Sequence, residues 1–118
     1  MEPKEKLDLA VRAADDKNAH QITTLDMRGV SLVADYFVIC HGNSETQVEA
    51  IAREVKDRAS LAGLDLKRLE GIEHSRWVLI DLNDVIVHVF HKDDRNYYNL
   101  EKLWGDAPTL DVEEILQA

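Results

Sequence analysis

The sequence predicts one α/β domain of mixed α+β character, a mostly five-stranded mixed sheet flanked by helices. Three observations carry that expectation. The chain has 118 residues, a length that holds one hydrophobic core and leaves no room for a second. Segments with apolar residues at helical spacing alternate with segments of strand length rich in β-branched residues. A composition of 45% hydrophobic and 31% charged residues, with two prolines and five glycines, is that of a folding chain rather than a disordered one.

The elements follow in order. Leu7, Ala10, Val11 and Ala14 fall at i, i+3, i+4 and i+7, so the spacing predicts a helix over 5–18. The alternating run Ile22 to Met27 predicts a strand, closed by the turn signal Arg28-Gly29. Val30 to Ala34 is apolar but too short to show a period. Tyr36-Phe37-Val38-Ile39-Cys40 is a continuous apolar run, the pattern of a central strand covered on both faces. Ser44 three residues before Gln47 matches a capping box. Val48, Ile51, Ala52, Val55 and Ala59 then continue with helical spacing to Gly63.

Leu64 to Leu69 predicts a short strand reached through that helix, a crossover that implies parallel pairing in part of the sheet. Arg76 to Leu82 and Val85 to Phe90 form a hairpin around Asn83-Asp84, residues that tolerate positive φ. Asp93 or Asp94 is placed to cap one further helix, with Tyr97, Leu100, Leu103 and Trp104 recurring helically and Gly105 ending it. Asp111 with Glu114 predicts a last short helix through Leu116. Residues 1–107 are thus read as the domain and 108–118 as an acidic C-terminal tail.

Charge and cysteine usage narrow the function. Fourteen Lys and Arg against 23 Asp and Glu leave a net charge of −9, which disfavours nucleic acid and suits a basic partner protein. The single Cys40 has no partner for an internal disulfide, no zinc-ligand spacing is present, and Met1 to Lys6 lacks the apolar region of a signal peptide. A soluble intracellular protein of the reducing cytosol, without membrane contact, is expected.

The hairpin is the most informative segment. With a two-residue turn, Val78, Ile80 and Leu82 face Val89, Val87 and Val85, a wholly aliphatic core side. Trp77, Leu79 and Asp81 face Phe90, His88 and Ile86 on the other side. This mixed side either lies under a helix, with its polar groups hydrogen-bonded, or forms a patch that another protein covers. Tyr97, Tyr98 and Trp104 add aromatic residues of the kind enriched at binding hot spots.

Catalytic readings are weaker. His88 and His91 point to opposite faces of a strand, which is unsuited to chelation. Cys40 reads as a buried inert thiol, His41 as a solvated loop histidine, and His74-Ser75 has no third partner. Gly42-Asn43-Ser44 joins a strand to a helix N-terminus, where phosphate can bind. Asp81 and Asp84 would then be carboxylates of a metal-dependent nucleotidyl transfer. No basic cluster or glycine-rich motif supports that alternative. No enzyme activity, cofactor or metal is expected.

Three segments together carry a resemblance: Asp35-Tyr36-Phe37-Val38-Ile39-Cys40-His41-Gly42-Asn43-Ser44; the stretch Trp77 to Phe90 containing Asp84-Val85-Ile86-Val87-His88-Val89-Phe90; and Arg95-Asn96-Tyr97-Tyr98-Asn99-Leu100-Glu101-Lys102-Leu103-Trp104. The chain resembles the ribosomal silencing factor family, RsfS, also called Iojap-like, from about residue 5 to Ala107. Cys40-His41 departs from the Ser or Thr that members often carry before the glycine. The resemblance implies a fold similar to nucleotidyltransferases without their catalytic residues. It implies a non-enzymatic bacterial, cytoplasmic repressor of translation. Such a factor binds ribosomal protein uL14 of the large subunit, blocks joining of the small subunit under nutrient limitation, and is a homodimer when free. Trp77, Leu79, Asp81 and His88 are then the leading candidates for partner binding, with Asp84, Tyr97 and Tyr98 next.

Overall fold

The computed structural model describes residues 1–118. Helix α1 (Pro3–Asp16) starts with proline in its first turn and buries Leu7, Ala10, Val11 and Ala14, the predicted stripe. Strands β1 (His20–Asp26) and β2 (Tyr36–Gly42) follow, joined by a loop in which Leu32 and Val33 are exposed. Helix α2 (Glu45–Leu61) is capped by Ser44 Oγ, which accepts from Gln47 N–H at 3.1 Å. Gln47 Oε1 reaches back one residue further than a capping box requires and accepts from Asn43 N–H at 2.8 Å.

Strands β3 (Arg68–Glu70), β4 (Trp77–Asp81) and β5 (Val85–His91) come next. Leu82 N–H donates to Val85 O at 2.8 Å and Asn83 adopts φ +80°, so the predicted turn and register hold, with Val78 opposite Val89 and Leu79 opposite His88. Helices α3 (Lys92–Tyr98) and α4 (Leu100–Leu103), strand β6 (Thr109–Leu110) and helix α5 (Val112–Gln117) complete the chain.

The sheet has six strands in the order β3-β4-β5-β2-β1-β6, and only β2 and β5 run parallel. Parallel pairing is present as expected, but it joins β2 to β5, with β4 and β5 standing between β2 and β3. The third strand covers Arg68 to Glu70 alone, because Leu64 and Leu66 pack onto the core outside any strand. The sixth strand comes from the tail. Its two residues pair with Thr24 and Leu25, and Ile115 of α5 enters the large core. No period is legible in two residues.

The predicted single helix after β5 is two helices. Asn99 takes φ +48° and breaks it, and the cap is His91, whose Nδ1 accepts from Asp93 N–H at 3.2 Å. Asp93 and Asp94 sit instead in the first turn, where they favour the positive end of the helix dipole.

The sheet is covered unequally. On one side α1, α2 and α5 seal a core containing Tyr36, Val38, Cys40, Val78, Ile80, Val87 and Val89. On the other side Phe37, Ile39, Ile86 and Phe90 are covered by Leu100, Ala107, Tyr98 and the Met27 to Ala34 loop, with Trp77, Leu79 and Trp104 partly buried at the margin. Seven- and four-residue helices are too short to roof a six-stranded sheet.

Candidate protein-docking surface

The thin cover exposes one stretch of β4. Strand β3 pairs with Leu79, Ile80 and Asp81 and ends there, so Trp77 lies beyond its neighbour's reach. The chain passes Trp77 through Gly71, at φ +85°, where a Cβ would stand 2.1 Å from the Trp77 carbonyl oxygen. Only glycine allows that approach. The Trp77 ring stacks on Phe90 at 4.9 Å between centroids, lies 4.6 Å from Tyr98, and remains half-buried. With Leu79, Glu70 and Gly71 it lines an open depression of about 260 Å³.

Beneath the indole, Trp77 Nε1–H donates to His88 Nδ1 at 3.2 Å. An accepting Nδ1 fixes the neutral tautomer with its proton on Nε2, and burial pushes the His88 pKa down to about 4. His88 Nε2 is buried without a partner, and Phe37 meets the ring edge-on at 4.8 Å. His88 therefore anchors Trp77 from below and contributes no charge to the surface. The helical margin adds Tyr98, 47% exposed, and Tyr97, 82% exposed, in edge contact at 5.1 Å.

The two alternatives for the mixed hairpin face are each realised in part. Ile86, His88 and Phe90 are covered, whereas Trp77 and Leu79 are open at the rim. Of the residues singled out from sequence, Trp77, Leu79, Tyr97 and Tyr98 border one surface with His88 under it. Asp81 and Asp84 are engaged within the domain. Buried Asp81 accepts from Arg68 Nε–H at 3.3 Å and from Asn83 N–H at 2.8 Å, which closes the hairpin turn. Asp84 pairs with Lys6 Nζ at 3.1 Å, and the same ammonium donates to Leu82 O at 3.0 Å, tying α1 to the turn.

In this structure both carboxylates of the nucleotidyl-transfer alternative are occupied by side-chain cations. Asp81 has both oxygens engaged, Asp84 faces an ammonium, and Ser44 Oγ serves as a helix cap. Cys40 is fully buried and burial pushes its thiol up to about 12, an inert environment. His41 is no loop residue. It lies half-buried in β2, stacked on His20 at 5.4 Å, with its pKa lowered by burial and then by Arg95.

Sequence reasoning missed the cations that hold this surface in place. Arg95, almost fully buried, donates from Nη1 to Gln21 O at 2.8 Å and His41 Nδ1 at 3.0 Å, and from Nη2 to Thr23 Oγ1 at 3.1 Å. Glu101 pairs with its Nε at 3.4 Å. Arg76 joins the start of β4 to Asp94 of α3 at 2.6 Å. The contacts of Arg95 with Gln21 and His41, and of Arg76 with Asp94, span chain separations that no local pattern signals.

The model of the family described as "Ribosomal silencing factor during starvation" matches residues 1–118. The chain belongs to the ribosomal silencing factor family. It is 63% identical over 116 residues to the ribosomal silencing factor RsfS of Halalkalibacterium halodurans, covering 98% of this chain and 99% of that one. The RsfS of Bacillus subtilis is 62% identical over 113 residues, covering 96% of each. A crystal structure of a Bacillus halodurans protein superposes with a TM-score of 0.83 at 62% identity, covering 92% of this chain and 98% of that chain. In this ribosomal silencing factor family member the match takes in the tail that adds β6 to the sheet. No helix is long and apolar enough to cross a membrane.

Proposed function

We propose that the chain represses translation by binding ribosomal protein uL14 on the large subunit and sterically preventing the small subunit from joining when nutrients are short. The observation that carries this reading is the Trp77, Leu79 and Tyr98 rim left open beside the short β3. A half-exposed aromatic cluster on a rigid sheet, backed by a neutral buried histidine, has the composition of a hot spot. A net charge of −9 complements a basic ribosomal protein and speeds encounter with it. Family membership supplies the ribosomal context. Steric blocking requires affinity and bulk, and no reacting group.

The same reading places the protein in the bacterial cytoplasm and makes it a homodimer when free. Light scattering at tens of micromolar, a working range for modest interfaces, should return twice the 13.4 kDa of one chain. A monomer would remove the dimer from the proposal.

The deciding experiment mixes purified subunits with the protein and follows joining by sedimentation. Wild type should lower the joined fraction in proportion to its occupancy of large subunits, and added uL14 should relieve the effect. Trp77→Ala should bind and block poorly. Unchanged joining with saturating protein on the large subunit would refute the blocking role. Release of pyrophosphate from a nucleotide with Mg²⁺, lost in Asp81→Asn, would favour the enzymatic alternative.

A further inference from the structure

At the opposite edge of the sheet lies a larger cavity of about 550 Å³, between the end of α1, the outer edge of β1 and the start of α5. Its floor is apolar, built from Ala19, Ile22, Leu110, Val112 and Leu116. Its rim carries the carboxylates of Asp15, Asp111 and Glu113, and no Lys or Arg lines it. Asp111 caps α5 by accepting from Glu114 N–H at 3.3 Å. Asp15 and Glu113 are exposed and enter no ion pair. Arg12 nearby is committed to the end of the tail, donating to Ile115 O at 2.7 Å and Ala118 O at 2.9 Å.

The backbone beside this cavity is equally incomplete. Strand β6 pairs only with Thr24 and Leu25 of the seven-residue β1, after which the chain leaves the sheet for α5. The stretch before Thr24 has no strand on its outer side; at the bulge between His20 and Thr23, with Gln21 at φ +48°, the carbonyls of His20 and Gln21 accept from Arg95, which leaves Ile22 and the lining side chains as the open part of the edge. An open strand edge recruits an extended segment through main-chain hydrogen bonds, and alternate side chains then face opposite ways. A segment continuing the line of β6 would set one row of side chains on the Ile22, Leu110 and Leu116 floor and the other among the carboxylates.

We propose that this edge groove docks a short extended peptide segment in which apolar residues alternate with lysine or arginine. Charge complementarity selects the occupant: three carboxylates rim an apolar floor, and the guanidiniums beside it are already engaged, Arg12 by Ile115 O and Ala118 O and Arg95 by Gln21 O and Thr23 Oγ1. The inference is independent of the uL14 reading, since Trp77 lies on β4, three strands away from β1, or about 14 Å at the usual strand spacing.

The test titrates the isotope-labelled full chain with the acetylated, amidated hexapeptide Val-Lys-Val-Lys-Val-Lys and follows amide shifts by NMR. Saturable shifts confined to residues 21–24 and 110–116, with Trp77 unmoved, are expected. The Asp15→Lys/Glu113→Lys double variant should bind about tenfold more weakly, the scale expected for reversing two exposed charges. Its melting temperature should change little, because the favourable charge that Glu113→Lys removes from the first turn of α5 is offset by the one that Asp15→Lys adds to the last turn of α1. The Val-Glu counterpart should not bind wild type. Non-saturating shifts spread over the acidic helices, or equal binding by the double variant, would overturn the proposal. Groove shifts that grow with protein concentration in the absence of peptide would assign the cavity to a second copy and overturn it too.

Discussion

Consecutive side chains of the β4–β5 hairpin enter two unlike environments. Val78, Ile80, Val87 and Val89 meet α1 and α2 and are fully buried, in a layer made mostly of aliphatic groups. Trp77 and Leu79, one residue away on the same strands, meet two short helices and stay partly open. Both faces rest on one hydrogen-bonded ladder, so backbone geometry does not distinguish them. What differs is the number of residues available to cover each. A small domain seals one face of a wide sheet, and the margin of the other is where it can present large rigid side chains at little entropic cost.

The sealed face should respond most strongly. Ile80→Ala leaves a cavity among fully packed neighbours and should cost about 2–5 kcal/mol of folding stability, measured by urea denaturation. Affinity of the remaining folded protein for the large subunit should be unchanged. A loss in affinity larger than the loss in stability would show that the two faces are energetically coupled.

Acid should act through the other face. The pKa of His88 drops from 6.5 to about 4 on folding, so between those values the unfolded chain holds a proton that the folded one lacks. Stability therefore rises with pH across this window. It should be intact above pH 6.5, fall as pH drops toward 4, and lose about 3 kcal/mol in all. His41 is shifted in the same direction and adds to the slope. Denaturation curves at several pH values should be steeper in pH dependence for wild type than for His88→Phe. Equal slopes would mean that His88 is hydrated and that this face is more open than its geometry shows.

The unequal visibility of these features in the sequence has a physical cause. The hairpin register, α2 and the Asp111 cap were legible because each rests on neighbours in the chain: a two-residue turn, a helical period and an i to i+3 contact. The pairing of β2 with β5, the tail strand β6 and the break at Asn99 rest on contacts distant in sequence or on one residue's φ. At the candidate site, alternation put Trp77 and Leu79 on the mixed side of the hairpin, left open whether that side was covered, and the family resemblance made them candidates for partner binding. Asp81 and Asp84 looked equally available, because nothing local reveals that Arg68 and Lys6 reach them. Asp81→Lys consequently tests the turn, since it sets an ammonium beside Arg68 in a buried site.

On the open face Trp77→Ala should lower affinity for the large subunit by about 2–4 kcal/mol, roughly 30- to 1,000-fold. It should also lower stability, because Phe90 and Tyr98 lose their ring contact and His88 Nδ1 its donor. Trp77→Phe separates the two effects, keeping a ring over Phe90 while deleting the N–H. Full affinity in Trp77→Ala, with stability strongly reduced, would place this tryptophan with the sealed face.

Tyr97 provides the smallest and cleanest measurement. At 82% exposure its ring touches Tyr98 and little else, so Tyr97→Ala should leave the melting temperature within error of wild type. If the docking surface extends from Trp77 across Tyr98 onto α3, truncation should still cost about 1 kcal/mol of affinity, some fivefold, as a contact at the edge of a hot spot does. The effect should shrink in the Trp77→Ala background, because neighbouring contacts in one interface are not additive. A Tyr97→Ala protein that binds as wild type in both backgrounds would confine the surface to β4 and leave α3 as cover for Phe90 alone.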